Sequence, residues 1–115
     1  MTFVEVCIYE VKPNKAEEFE ALIKEVIEHH KDFSGVIDVR YMKRTHRSDF
    51  NTARKGEPPI KLTRKPKSVT YVLYWELNNE IVHGKATKSG LEKFYRRFNR
   101  CLATMPKIIL GERIQ

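Results

Sequence analysis

Residues 69–77 read VTYVLYWEL, and both sides of that stretch are largely apolar. In an extended strand Val69, Tyr71, Leu73, Trp75 and Leu77 share one face, while Thr70, Val72, Tyr74 and Glu76 share the other. A strand with one wet face alternates apolar and polar residues cleanly. This one does not, so it belongs inside a sheet that is covered on both sides. A fold for the chain has to account for both covers.

The flanking sequence supplies one of them. Thr2–Val11 reads as a first strand, with Val4, Val6 and Ile8 on one face and Phe3, Glu5, Cys7 and Tyr9 on the other. Pro13 ends it, and Asn14 with Glu17 three residues on has the pattern of a capping box. Ala16, Phe19, Leu22, Ile23, Val26, Ile27 and His30 then recur at three- and four-residue steps, which predicts an amphipathic helix ending near Ser34-Gly35. Val36 to about Arg47 reads as a second strand, and Val69–Leu77 is the third. After Asn78-Asn79 a short helix over Glu80–Ala86, weakened by Gly84, is expected. A second capping-box pattern, Ser89 with Glu92, precedes the apolar series Leu91, Phe94, Tyr95, Phe98, Cys101 and Leu102. Met105-Pro106 closes that helix, and Lys107–Ile114 is a fourth strand.

The order strand, helix, strand, strand, helix, strand is the ferredoxin-like βαββαβ arrangement. It predicts an α+β domain spanning residues 1–115, with a four-stranded antiparallel sheet and both helices on one face. The first and third strands lie in its middle. The helices are expected on the Val4, Val6, Ile8 face, which leaves Phe3, Cys7 and Tyr9 on the open side. One face of the third strand joins them, either Tyr71, Leu73 and Trp75 or else Val72 and Tyr74. A four-stranded face of this kind measures roughly 400 Å², a size at which an apolar patch signals a partner. Three covers are conceivable: a second copy of the sheet, a nucleic acid, or a small apolar molecule beneath a lid.

Charge is segregated along the chain. Lys43–Lys67 holds nine Lys or Arg against Asp49 and Glu57, a net of +7, which is the formal charge of the whole chain. The remainder therefore sums to zero. Within this segment the stretch at about 47–67 contains Gly56, Pro58, Pro59 and Pro66 and reads as a long basic loop insertion. The two cysteines, Cys7 and Cys101, have neither CxxC nor zinc spacing and read as reduced thiols. The adjacent pair His29-His30 points about 100° apart on a helix and is a poor metal pair; no metal is expected. No apolar run approaches the ~20 residues of a membrane helix, and the first residues read as a strand rather than a signal peptide. The expected location is the cytoplasm, with no membrane partner.

Two stretches, VEVCIYEVKPNKAEEFEALIKEV and YVLYWELNNEIVHGKATKSGLEKF, resemble the antibiotic-biosynthesis monooxygenase (ABM)-like members of the dimeric α+β barrel superfamily. In that family a strand ending in Trp-Glu is followed by a short helix carrying a His; the matching residues are Trp75-Glu76 and His83, with Ser89 opening the next helical region. The resemblance covers most of the chain apart from Arg47–Pro66. It implies a homodimer packed sheet to sheet as a barrel. It also implies a pocket in each subunit and a cofactor-independent monooxygenase that acts on, or binds, a small aromatic ligand of quinol or phenol type. A purely ligand-binding or structural barrel is an alternative. Haem-degrading members use a first-strand Asn, a Trp and a haem-ligating His. Here Cys7 stands at the first-strand place and His83 falls near the Trp place, so haem degradation is not assigned. No cofactor is expected, and haem is kept as the one to test.

Within that frame His83 is the candidate catalytic residue, because a neutral imidazole suits removal of a phenolic proton before dioxygen reacts. Tyr9, Tyr71, Tyr74 and Trp75 are candidates for stacking on a flat ligand. Arg54, Lys55 and Arg64 of the basic segment are candidates for reading a carboxylate or phosphate on it. An RNA-recognition module shares the topology and is a further alternative, but Lys67–Tyr74 matches its third-strand motif only at the Lys, the Val and the final aromatic. Nucleic acid is therefore the less expected partner.

Overall fold

A computed structural model describes all residues, Met1–Gln115. The main sheet consists of β1 (Phe3–Val11), β2 (Val36–Lys43), β5 (Val69–Leu77) and β6 (Lys107–Glu112), in the antiparallel order β2-β5-β1-β6. The expected central pair, β1 and β5, is central. Helices α1 (Ala16–Lys31) and α3 (Glu80–Cys101) pack on one face of this sheet. The architecture is the ferredoxin-like α+β arrangement that the element order predicts.

The faces are the reverse of the expectation. The helices cover Glu5, Cys7, Tyr9 and Val11 of β1 with Tyr71, Leu73, Trp75 and Leu77 of β5, all buried. Val4, Val6 and Ile8 lie on the open face, opposite Glu76, Tyr74 and Val72. Size decides this. Tyr9 packs against Phe19 and Phe98 with ring centroids 5.6 Å away in each case, and Phe19 meets Tyr71 at 4.8 Å. Large rings fill the helix–sheet gap, which a row of valines would leave underpacked. Pairing in register then puts Tyr9 and Tyr71 side by side and fixes the face of both strands.

Three local expectations are also corrected. Asn14 does not cap α1: Pro13–Lys15 form a 3-10 turn, and the Ala16 N–H bonds the Pro13 carbonyl. Residues 80–101 form one helix, not two. Asn79 caps it by accepting from the Val82 N–H at 2.9 Å, and Ser89 sits mid-helix with its hydroxyl 2.8 Å from His29 Nε2. The cost of Gly84 in a helix interior is about 1 kcal/mol, too little to break a helix packed on a sheet. The basic segment is not structureless. β3 (His46–Arg47) pairs with β4 (Ile60–Lys61), and between them lies α2 (Phe50–Arg54), whose Thr52 N–H bonds Asp49 Oδ1 at 2.8 Å.

The turn from α1 into β2 is fixed by Gly35, at φ +93°, where a Cβ would lie 2.8 Å from both γ-carbons of Val82. That contact ties the turn to the first turn of α3. No helix is long and apolar enough to cross a membrane.

Candidate functional site

Between the covered face of the sheet and α3 lies a cavity of about 520 Å³. Cys7, Tyr9, Leu73 and Trp75 form its sheet wall, with Val26 and His30 from α1 and Phe94 and Phe98 from α3. It opens along the chain leaving α3 and along β6, where the lining residues Met105 and Ile108 are exposed. Its size suits a small molecule of a few rings.

The polar groups in this apolar wall are few. Trp75 Nε1 and Thr87 Oγ1 are both buried, and neither has a hydrogen-bond partner. Glu5 lines the cavity at 7% exposure and is the only carboxylate there; no Lys or Arg joins it. His30 packs its ring on Trp75 at 4.6 Å and lies 3.1 Å by Nε2 from the Ala86 carbonyl, to which that nitrogen donates. Burial pushes the His30 pKa down, so the ring is neutral at pH 7. Burial likewise pushes the Cys7 thiol up to about 11 and the Tyr9 and Tyr41 hydroxyls well above their usual range. None of these three is an anion at neutral pH. Gly90 makes the arrangement possible, because a Cβ there would fall 2.8 Å from His30 Cε1 and Nε2.

His83 sits on the second turn of α3 and is absent from the cavity wall. Its Nε2 is 2.6 Å from Glu5 Oε1, and its ring packs beside Phe3 at 5.1 Å and Trp75 at 5.3 Å. It reaches the cavity through Glu5. Among the aromatic candidates, the structure brings Tyr9 and Trp75 together in the wall. Tyr71 faces the helices but donates its hydroxyl to Glu20 at 2.6 Å, beside a smaller hollow between α1 and β2. Tyr74 lies on the open face and donates to Glu76 at 3.1 Å. Arg54 ends α2 and Arg64 follows β4; with Lys55 they are exposed, and none lines the cavity.

Sequence reasoning passed over Glu5, His30 and Thr87. For Glu5 a signal existed: it is the one acid among the apolar and aromatic residues of its strand face, and an inward charge needs a partner. Thr87 and Gly90 become visible only once α3 is one helix, because the helical period then turns both toward the sheet.

No protein-family profile matches the chain, and no curated protein matches it in sequence. Solved structures do match in fold. A conserved protein from Methanosarcina mazei Go1 aligns with a TM-score of 0.68 at 19% identity, covering 98% of this chain and 93% of that one. An antibiotic biosynthesis monooxygenase aligns at 0.69 and 11% identity, covering 100% of each. The ferredoxin-like fold of this chain is thus one that solved antibiotic biosynthesis monooxygenases also have. SnoaB of Streptomyces nogalater, a cofactor-independent oxygenase, aligns at 0.66 and 12% identity over 99% of this chain and 94% of its own. At such identities the likeness establishes the fold and leaves chemistry to the site.

Proposed function

We propose that the protein binds a small aromatic molecule of phenol or quinol type in this cavity and oxygenates it with dioxygen, without a cofactor. The observation that carries the reading is the pair of unpartnered donors, Trp75 Nε1 and Thr87 Oγ1, in the wall of one cavity. A buried donor left unsatisfied costs about 1–3 kcal/mol. A ligand carbonyl or phenol oxygen accepting from either recovers that cost, while the flat apolar walls take the rings. The fold shared with a cofactor-independent oxygenase supports the chemistry. Haem suits these walls poorly: its two carboxylates would meet no Lys or Arg, and the one histidine in the lining, His30, already gives Nε2 to Ala86.

The second cover is assigned to a second copy. The open face presents Val6, Ile8, Val72, Met42 and Ile109 in register across all four strands. This favours sheet-to-sheet pairing over RNA, because the face has one aromatic, Tyr74, and its acids Glu10, Asp38 and Glu76 outnumber its strand cations Arg40 and Lys107. Light scattering after gel filtration tests this part: twice the chain mass, unchanged in high salt, is expected, and a monomer refutes it.

The ligand reading is tested by isothermal titration with menadiol and quercetin, followed by oxygen uptake. Saturable binding that weakens about tenfold or more in Trp75→Phe, with thermal stability kept, is expected from loss of one buried hydrogen bond. Absence of saturable binding by either compound refutes it. Binding without oxygen uptake leaves a ligand-binding barrel.

A further inference from the structure

Glu5 is a carboxylate buried to 7% exposure inside an otherwise apolar cavity wall. One oxygen, Oε1, is held 2.6 Å from His83 Nε2, and Oε2 has no hydrogen-bond partner in the protein. Across the strands Glu5 stands opposite Trp75, whose Nε1–H is not bonded to it, on one side and the aliphatic Leu110 on the other. The cavity therefore holds a free acceptor on Glu5 and two free donors, Trp75 Nε1 and Thr87 Oγ1. Glu5 is the one acidic side chain of the wall, and no Lys or Arg lines the cavity beside it.

We propose that Glu5, positioned by His83, accepts the ligand's hydroxyl and acts as a charge filter, so that the site takes uncharged hydroxyaromatics and rejects carboxylates and phosphates. This rests on the ligand-binding reading above and adds a role to residues that it does not use. Like charges placed ~6 Å apart at an effective dielectric constant of ~20 repel by enough to lower affinity more than tenfold. The unpaired cations of the basic segment lie outside the wall and do not relieve that repulsion. His83 works at one remove: it holds one carboxylate oxygen so that the other is presented to the ligand. The arrangement also states what the ligand must carry, a hydroxyl to give to Glu5 and an oxygen to accept from Trp75 or Thr87.

The test compares hydroxyacetonaphthone, which is neutral, with hydroxynaphthoate, the same ring system with a carboxylate in place of the acetyl group. Isothermal titration at neutral pH is expected to give at least about tenfold tighter binding of the ketone by the wild-type protein. Glu5→Gln keeps the shape and removes the charge; the gap should close to within about threefold. His83→Asn leaves the charge but loosens the carboxylate, so the ketone should bind several-fold more weakly while the preference for it persists. Equal binding of the two compounds by wild type overturns the inference, and needs no variant to fold. So does a gap that survives Glu5→Gln. Ketone binding with an unchanged gap in Glu5→Gln sinks the role of Glu5 and leaves the ligand reading standing. Failure of both compounds to bind overturns both.

Discussion

Two glycines on α3 should respond in opposite directions to the same change. Gly90→Ala puts a Cβ 2.8 Å from Cε1 and Nε2 of His30, inside any normal contact. The ring cannot swing away cheaply, because Trp75 backs it at 4.6 Å and Nε2 is bonded to Ala86 at 3.1 Å. Overpacking of this kind costs about 1–3 kcal/mol, and loss of the buried hydrogen bond adds about 1 kcal/mol. Better helix propensity returns about 1 kcal/mol. The net is a loss of about 1–3 kcal/mol, or a fall in Tm of roughly 4–12 °C for a domain of this size. At Gly84 a Cβ meets nothing within 4 Å. Gly84→Ala should therefore keep the propensity gain and raise Tm by roughly 4 °C. Thermal melts followed by far-UV circular dichroism give both numbers. If Gly90→Ala stabilises as Gly84→Ala does, His30 is not seated against the helix, and the cavity wall described above is wrong.

Acid should act through His30 before it acts through the carboxylates. Burial depresses the folded-state pKa below the ordinary 6.5, so the unfolded chain takes up the proton first. The neutral ring's stability is fully present above pH 6.5 and is lost as pH falls from there through the folded value. Melts between about pH 7.5 and 5.5 should show a steeper decline for wild type than for His30→Gln; equal slopes would contradict it. The thiols offer a simpler check. Cys7 and Cys101 are both buried with pKa values raised first by burial, so iodoacetamide at about pH 8 should leave both unmodified in the native protein and label both after denaturation. Rapid labelling of either in the folded state would count against the packing of β1 or of the last turn of α3.

Element order was legible in the residues because it rests on apolar periodicity, which the chain displays plainly in α1 and β5. The face of β1 was not. Val4, Val6 and Ile8 look more like core than Glu5, Cys7 and Tyr9 do, and only the fit of aromatic rings from α1 and α3 reverses that preference. The site was legible in part. Tyr9 and Trp75 belong to the cavity wall; Glu5 stands out as the one acid of its strand face, but its partner His83, 78 residues away, is brought to it only by the fold. The continuity of α3 was hidden for a related reason. Gly84 and the Ser89/Glu92 pattern are local signals, and packing along the sheet overrides them.

Strand β6 carries a consequence of another kind. It is an edge strand paired only with β1, and Ile108, Ile109 and Leu110 are each half exposed although they point to alternate sides. A short apolar run of high β-propensity with a free row of backbone donors and acceptors is a template for unwanted strand addition. The chain brackets it with Pro106 and Lys107 on one side and Gly111, Glu112 and Arg113 on the other, the residue types that act as gatekeepers against aggregation. Neutralising those flanks, rather than altering the core, is the change most apt to turn this domain from a well-behaved protein into an insoluble one.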